Sequence, residues 1–159
     1  MPSRKLNLAA DLGLHLGVAA VLFATTLLFY GAYYPIHQDL AGSVLSGRLS
    51  VVLGDSFQSY GIYFPPVEKI WFSLATRMSD AIGARLDLVV VAMTNAAVLF
   101  GVTLAYHIRR ITVGASPLFF VISLAALTII PILFKNVFGL REHLVAVGLW
   151  PYLIFRISD

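Results

Sequence analysis

Two stretches of the chain combine residue types that could carry out chemistry, and both stand beside apolar runs. Asp39 lies about five residues after the apolar run 12–34, in the sequence Tyr-Tyr-Pro-Ile-His-Gln-Asp. The triplet Arg141-Glu142-His143 stands at the start of the last apolar run. A carboxylate that is partly shielded from water becomes a stronger base and suits general-base catalysis. The planar guanidinium of an arginine suits bidentate binding of a phosphate.

Each of these candidates also has a structural interpretation. Asp39 suits the N-cap or first turn of a short helix over 40–49. Glu142 suits the first turn of a helix, where the macrodipole favours negative charge. Tyr60 and Tyr63, in the loop between the two stretches, could stack on the face of a sugar or anchor at lipid headgroups. The residues alone therefore leave catalytic and structural roles open.

The composition places these residues on a membrane protein. Of the 159 residues, 59% are hydrophobic and only 12% are charged, and the mean hydropathy is +0.87. Soluble domains are nearer half apolar and a quarter charged. The formal charge of +3 is too small to indicate nucleic-acid binding and suits anchoring at anionic headgroups. Because the chain has no cysteine, disulfides and thiol chemistry are excluded.

Three apolar runs are long enough to predict transmembrane helices, and a fourth is shorter. The predicted spans cover about 12–34, 88–106 and 117–134, because some twenty apolar residues cross a hydrocarbon core of about 30 Å. A partial fourth span is predicted over 144–157. The sequence therefore predicts an all-α, polytopic transmembrane helical bundle, with residues 1–159 forming a single membrane domain.

Two polar loops, over about 35–87 and 135–143, separate the apolar runs. In the first loop, apolar residues at helical spacing predict a short interfacial helix over about 36–49. A second interfacial amphipathic helix is predicted to begin at Pro66 and to end near Gly83, since proline suits a first turn and glycine follows a last one. Its predicted apolar stripe consists of Val67, Ile70, Trp71, Leu74, Met78 and Ile82.

The distribution of basic residues predicts the orientation of the chain. Positive charge in short loops favours the cytoplasmic side. The residues assigned to that side are Arg4, Lys5, Arg109, Arg110 and Arg156. The N-terminus is therefore predicted to be cytoplasmic, with both polar loops outside.

Within the spans, polar features are sparse. No Asp, Glu, Lys or Arg lies near a span centre, which argues against a transporter. His15 is interpreted as a histidine at headgroup level, with a proton relay as the alternative. Gly13 and Gly17 have the spacing of a helix-packing motif, which in a glycine-rich membrane chain can also arise by chance.

Together these features resemble the N-terminal part of glycosyltransferases of the GT-C superfamily, polytopic enzymes that use polyprenyl-phosphate-linked sugars. The likeness rests on the acid Asp39 after the first span and on the passage Gly61-Ile-Tyr-Phe-Pro-Pro-Val67. It rests also on Phe138-Gly-Leu-Arg-Glu-His-Leu144 running into Leu149-Trp-Pro-Tyr152. The likeness covers nearly all of the chain, which would form roughly the first third of such an enzyme.

The resemblance implies sugar transfer from a polyprenyl-phosphate donor at the outer face of the bacterial cytoplasmic membrane. Asp39 would be the general base, and Glu142 would be a second catalytic acid that assists the acceptor or a divalent cation; whether a cation is needed stays open. Arg141 and His143 would bind the lipid phosphate. Tyr60 and Tyr63 would line the substrate site. The expected partners are membrane lipid, the lipid-linked sugar, and either further C-terminal spans or another membrane chain, without which the module could be inactive.

A non-enzymatic function is the alternative. The chain would then be a small integral membrane subunit, or a helper that handles lipid phosphates in the manner of the four-span GtrA-like proteins. Those proteins have short loops, so the loop of about fifty residues counts against that version. A partner-binding subunit remains, because the short last span invites completion by another chain.

Overall fold

The computed structural model describes residues 8–33, 66–114, 116–133 and 141–158. This part of the chain forms helices and short turns and contains no strand, so the all-α prediction is confirmed there. The helices are α1 (Leu8–Tyr33), α2 (Pro66–Ile82), α3 (Leu86–Thr112), α4 (Pro117–Leu133) and α5 (Arg141–Ser158). The short helix predicted over 36–49 lies outside the described residues.

Among the described helices, only α3 is both long enough and apolar enough to cross a membrane. Its 27 residues correspond to about 40 Å of helix. The apolar segments of α1, α4 and α5 are shorter, at His15–Thr26, Pro117–Ile130 and His143–Ile157. Helix α3 thus supports a membrane location at a coarse level, and the three full spans stay a prediction.

Local chain chemistry explains where these helices begin and end. Helix α2 begins at Pro66 and ends at Ile82, as predicted, and Gly83 follows it with a φ of +66°. The N–H of Ala84 donates to the carbonyl of Ser79 over 3.2 Å, which completes a Schellman-type end. Helix α3 runs six residues past the predicted end at 106, and its last turn contains Arg109 and Arg110, whose positive charge the helix dipole favours there.

Helix α3 is the centre of the described bundle, since each of the other four described helices packs against it. One core cluster joins it to α2 and contains Phe72, Ala75, Val89, Val90 and Met93. A second cluster joins it to α4 and α5 and contains Val98, Val102, Phe120, Leu124, Leu127 and Val147. The helix that is long enough to cross a membrane is therefore also the one that holds the others together.

Helix α2 has two apolar faces rather than one. Its buried residues are Phe72, Ala75, Thr76 and Ser79, of which the first two pack in the cluster with α3. The predicted stripe is mostly exposed, at Ile70, Leu74, Met78 and Ile82. With 3.6 residues per turn, these two sets lie on neighbouring faces of the helix. One face packs against α3, and the described residues leave the other face exposed.

Contacts between the helices define their directions. His15 of α1 lies against His107 of α3, with ring centroids 6.5 Å apart, and Thr26 bonds to Asn95, so α1 and α3 are antiparallel. His15 also contacts Phe120, near the start of α4, with centroids 5.1 Å apart. Helices α1 and α4 therefore start close together, and since residues 13–25 and 121–129 line one groove along their lengths, they run in the same direction.

Candidate functional site

The structure describes only some of the predicted site residues. Asp39, Tyr60 and Tyr63 lie outside the described residues. Arg141 and Glu142 are the first two residues of α5, and their side chains also lie outside the described part. The convergence of Asp39 with this pair therefore stays a prediction, and so do the roles given to all five residues.

His143, the third residue of α5, is held inside the bundle. Its side chain is only 3% exposed. The Nε2–H group donates a hydrogen bond of 2.7 Å to the backbone carbonyl of Leu127 in α4. Because a carbonyl can only accept, this contact requires the proton on Nε2. The imidazole thus connects the beginning of α5 to the second half of α4. Its predicted role in binding lipid phosphate stays a prediction.

The sequence explains why the Leu127 carbonyl can accept this bond. In an α-helix, this carbonyl would accept from the N–H four residues later, at position 131. That residue is Pro131, which has no N–H. The proline therefore releases the carbonyl from the helical ladder, and the imidazole of His143 supplies a donor in its place.

A second proline releases a second carbonyl at the contact between α3 and α5. Pro151 lies inside α5 and leaves the carbonyl of Val147 without its helical donor. This carbonyl faces Gly101 of α3, where an added Cβ atom would lie 2.9 Å from the oxygen. Real Cβ atoms essentially never come that close to a backbone oxygen. Helices α3 and α5 therefore approach as closely as they do because position 101 is glycine.

Helices α1 and α4 enclose a groove of about 640 Å³. Its walls are apolar, and its residues from α1 include Gly13, Gly17 and Thr25. An added Cβ atom at either glycine would meet nothing within 4 Å, so this glycine pair faces open space. Thr128 lines the α4 side, and its buried hydroxyl has no hydrogen-bond partner among the described residues.

A buried polar contact links α1 to the middle of α3. The Asn95 side-chain amide donates to the hydroxyl oxygen of Thr26 over 2.7 Å. The Thr26 hydroxyl in turn donates to the carbonyl of Leu22 over 2.8 Å. The Asn95 Oδ1 atom has no partner in the part of the chain that the structure describes. A single amide in an apolar run thus acts as an interhelical donor.

A group of rings, here called the His15 cluster, lies at the start of α1. It consists of His15, Tyr106, His107 and Phe120, with the two imidazole planes only 7° from parallel. Nearby, the Arg109 guanidinium carbon lies 4.9 Å from the centroid of the Phe119 ring. The sequence singled out His15 but gave no sign of its partner His107, because the pairing depends on how two helices pack.

The end of α1 and the start of α5 are both distant from the His15 cluster. Helix α1 runs away from that cluster and ends at Tyr33, six residues before Asp39. Helix α5 begins with Arg141 beside the second half of α4, as the bond from His143 requires. The end of α1 and the start of α5 therefore lie in the same half of the bundle.

No group of three or more His, Asp or Glu side chains that could hold a metal ion occurs within the described ranges. Comparisons of the chain with family models, with curated proteins and with solved structures give no match.

Proposed function

We propose that this chain is a membrane-embedded module of a GT-C type glycosyltransferase, which transfers a sugar from a polyprenyl-phosphate donor at the outer membrane face. One observation carries the proposal: α1 ends and α5 begins in the same half of the bundle. The segment containing Asp39 leaves α1 in that half, and Arg141 and Glu142 begin α5 there. This topology supports a shared site despite about a hundred intervening residues.

The start of α5 suits a phosphate group. The first turn of a helix presents free N–H groups and the positive end of the macrodipole, both of which attract anions. Arg141 at the first position adds a fixed positive charge with a fork of donors. In this proposal the lipid phosphate binds there, next to Glu142.

The proposed reaction is an inverting substitution at the anomeric carbon. Asp39 accepts the proton of the acceptor hydroxyl while that oxygen forms its bond to the anomeric carbon. The bond between the anomeric carbon and the phosphate oxygen breaks, and its electron pair leaves with the polyprenyl phosphate. Arg141 stabilises the negative charge that develops on this leaving group. Glu142 orients the acceptor, and Tyr60 and Tyr63 hold the sugar ring.

The exposed apolar surfaces support the membrane location. Besides the apolar helix α3, the stripe of α2 at Ile70, Leu74, Met78 and Ile82 is exposed, with the charged Arg77 at the edge of the stripe and Asp80 outside it. A helix with this division of faces suits the boundary between lipid and water. In the proposal, α2 lies at the outer surface beside the site.

The experiment measures sugar transfer in native membranes, where any further spans or partner chain are present, supplied with radiolabelled polyprenyl-phosphate-linked hexose. Asp39→Asn keeps the size but removes the base, and it should lower transfer at least about a hundredfold. Arg141→Gln should raise the KM for the donor. Asp80→Asn, which changes an exposed acid of α2, is the matched control and should leave transfer unchanged. Full transfer by Asp39→Asn, or an equal loss in the control, would refute the catalytic role.

The groove between α1 and α4 favours a second candidate, a non-catalytic subunit that binds a transmembrane helix of a partner chain. Glycines spaced four apart let another helix approach closely, and Gly13 and Gly17 face open space in the groove. Gly17→Leu would place a side chain in the groove, and its Cβ atom would meet nothing within 4 Å. Loss of a co-purifying membrane chain with unchanged sugar transfer would favour the subunit, whereas loss of transfer through Asp39→Asn alone would favour the enzyme.

A further inference from the structure

The contact between α4 and α5 includes a hydrogen bond whose acceptor carbonyl is left without a helical donor by Pro131. If residue 131 had an N–H group, it would donate to the Leu127 carbonyl within α4. The bond from His143 would then not replace a missing helical bond. With Pro131 in place, the released carbonyl lies in a buried region where an unpaired acceptor is costly. The imidazole Nε2–H group meets it at 2.7 Å.

We infer that His143 is a positioning residue. It bonds to the carbonyl that Pro131 leaves without a helical donor, and this bond fixes the first turn of α5. The position of that turn determines where Arg141 and Glu142 lie. Leu127, Pro131 and His143 are here called the α4–α5 joint. Its effect on Arg141 and Glu142 rests on the proposed function, but the joint itself does not. In this assignment His143 acts through its backbone contact rather than by touching the phosphate.

Burial and geometry distinguish this role from direct phosphate binding. The His143 side chain is almost completely enclosed, and its Nε2–H group points to α4 rather than out of the bundle. Arg141 and Glu142 precede it by two residues and one residue in the same helix. A shift of the first turn of α5 would therefore move both residues together, and misplacement by about 1 Å can cost a large factor in rate.

A double-mutant cycle on the purified 159-residue chain tests the joint. His143→Phe keeps a ring but removes the donor, and it should lower the folding equilibrium constant about tenfold. Pro131→Ala returns an N–H to residue 131, so that the Leu127 carbonyl regains its helical partner. In the Pro131→Ala background, His143→Phe should lower the folding equilibrium constant about twofold or less. Equal losses in the two backgrounds would overturn the inference.

Three further measurements separate the joint from general packing at this position. His143→Gln places an amide donor near the former Nε2 atom and should recover most of the lost stability. ¹⁵N NMR of labelled histidine should show the Nε2–H tautomer at His143, and the Nδ1–H tautomer would contradict the joint. His15→Phe serves as the control, because its cost should be the same with Pro131 and with Ala at that position.

Transfer kinetics separate the joint from the proposed function. His143→Phe should lower kcat by about tenfold or more with the donor KM nearly unchanged, and His143→Gln should restore kcat. A raised donor KM that glutamine does not restore would instead indicate direct phosphate binding and overturn the inference. If the stability cycle behaves as expected but Asp39→Asn and Arg141→Gln transfer normally, the joint stands and the glycosyltransferase proposal fails.

Discussion

Single polar residues make hydrogen bonds between the described helices, in an apolar interior that offers few other donors or acceptors. A buried amide or imidazole without a partner loses its hydration and gains nothing in return. The Asn95 Nδ2 donor and the His143 Nε2 donor avoid this by bonding to groups on another helix, the Thr26 hydroxyl and the Leu127 carbonyl. Each acceptor is available for a local reason: a hydroxyl has lone pairs beyond the one donor it uses, and a proline releases the carbonyl.

Two adjacent threonines allow the contribution of the Asn95 contact to be measured. Thr26→Val removes the acceptor and leaves the buried amide unsatisfied, which should lower stability by about 1–2 kcal/mol. Thr25→Val is the matched control, since that exposed hydroxyl bonds only to its own helix at Val21, and it should cost less than about 0.5 kcal/mol. Reversible unfolding in detergent, followed by the fluorescence of the two tryptophans, provides both values. Equal costs would show that the interhelical bond contributes nothing measurable.

At the scale of elements, the prolines inside α4 and α5 each leave a backbone carbonyl without its helical donor, and that carbonyl contacts a neighbouring helix. The Leu127 carbonyl meets a side-chain donor, whereas the Val147 carbonyl meets the bare backbone of Gly101. A Cα–H group can make a weak contact with such an oxygen when helices approach closely. The absence of a side chain at position 101 is therefore a requirement of the packing between α3 and α5.

Gly101→Ala should destabilise the bundle, although alanine is the better helix former. The new methyl group would lie 2.9 Å from the Val147 carbonyl oxygen, and only a shift of α3 away from α5 could relieve this contact. Overpacking of this kind costs about 1–3 kcal/mol. Gly148→Ala, at a glycine of α5 with open space around it, should be neutral or stabilising by up to about 1 kcal/mol. If Gly148→Ala lowers the stability of the bundle and Gly101→Ala does not, this account of the α3–α5 packing is wrong.

Sequence patterns predicted those elements whose limits depend on local chemistry. Pro66 and Gly83 mark the two ends of α2 because each acts through its own backbone. The buried face of α2 at Phe72 was not predicted, since the apolar stripe beside it gives a stronger periodic signal. The partner of His143 was not predicted either, because only tertiary packing brings Leu127 within reach. The loss of a helical bond at Pro131 was readable from the sequence, but the donor that replaces it was not.

At the scale of the whole molecule, α3 is the central helix, and the other described helices pack along it. Helix α3 contacts every other described helix, and its length of about 40 Å exceeds a hydrocarbon core of about 30 Å. Its last turn contains Arg109 and Arg110, and the uncovered stripe of α2 lies at its other end. In the proposed function, α3 crosses the membrane with this basic C-terminal end in the cytoplasm, which stays a prediction.

Because the chain has no cysteine, single cysteines can test this orientation without a background signal. Asp80→Cys and Ser116→Cys replace exposed polar residues shortly before and shortly after α3. If α3 crosses the membrane in the predicted direction, an impermeant maleimide should label the first variant in intact spheroplasts and the second only after permeabilisation. Labelling both from outside would show that α3 does not cross, and the reverse pattern would place Arg141 and Glu142 on the cytoplasmic side. Either result would remove the outer-face donor site from the proposed function, while the α4–α5 joint would be unaffected.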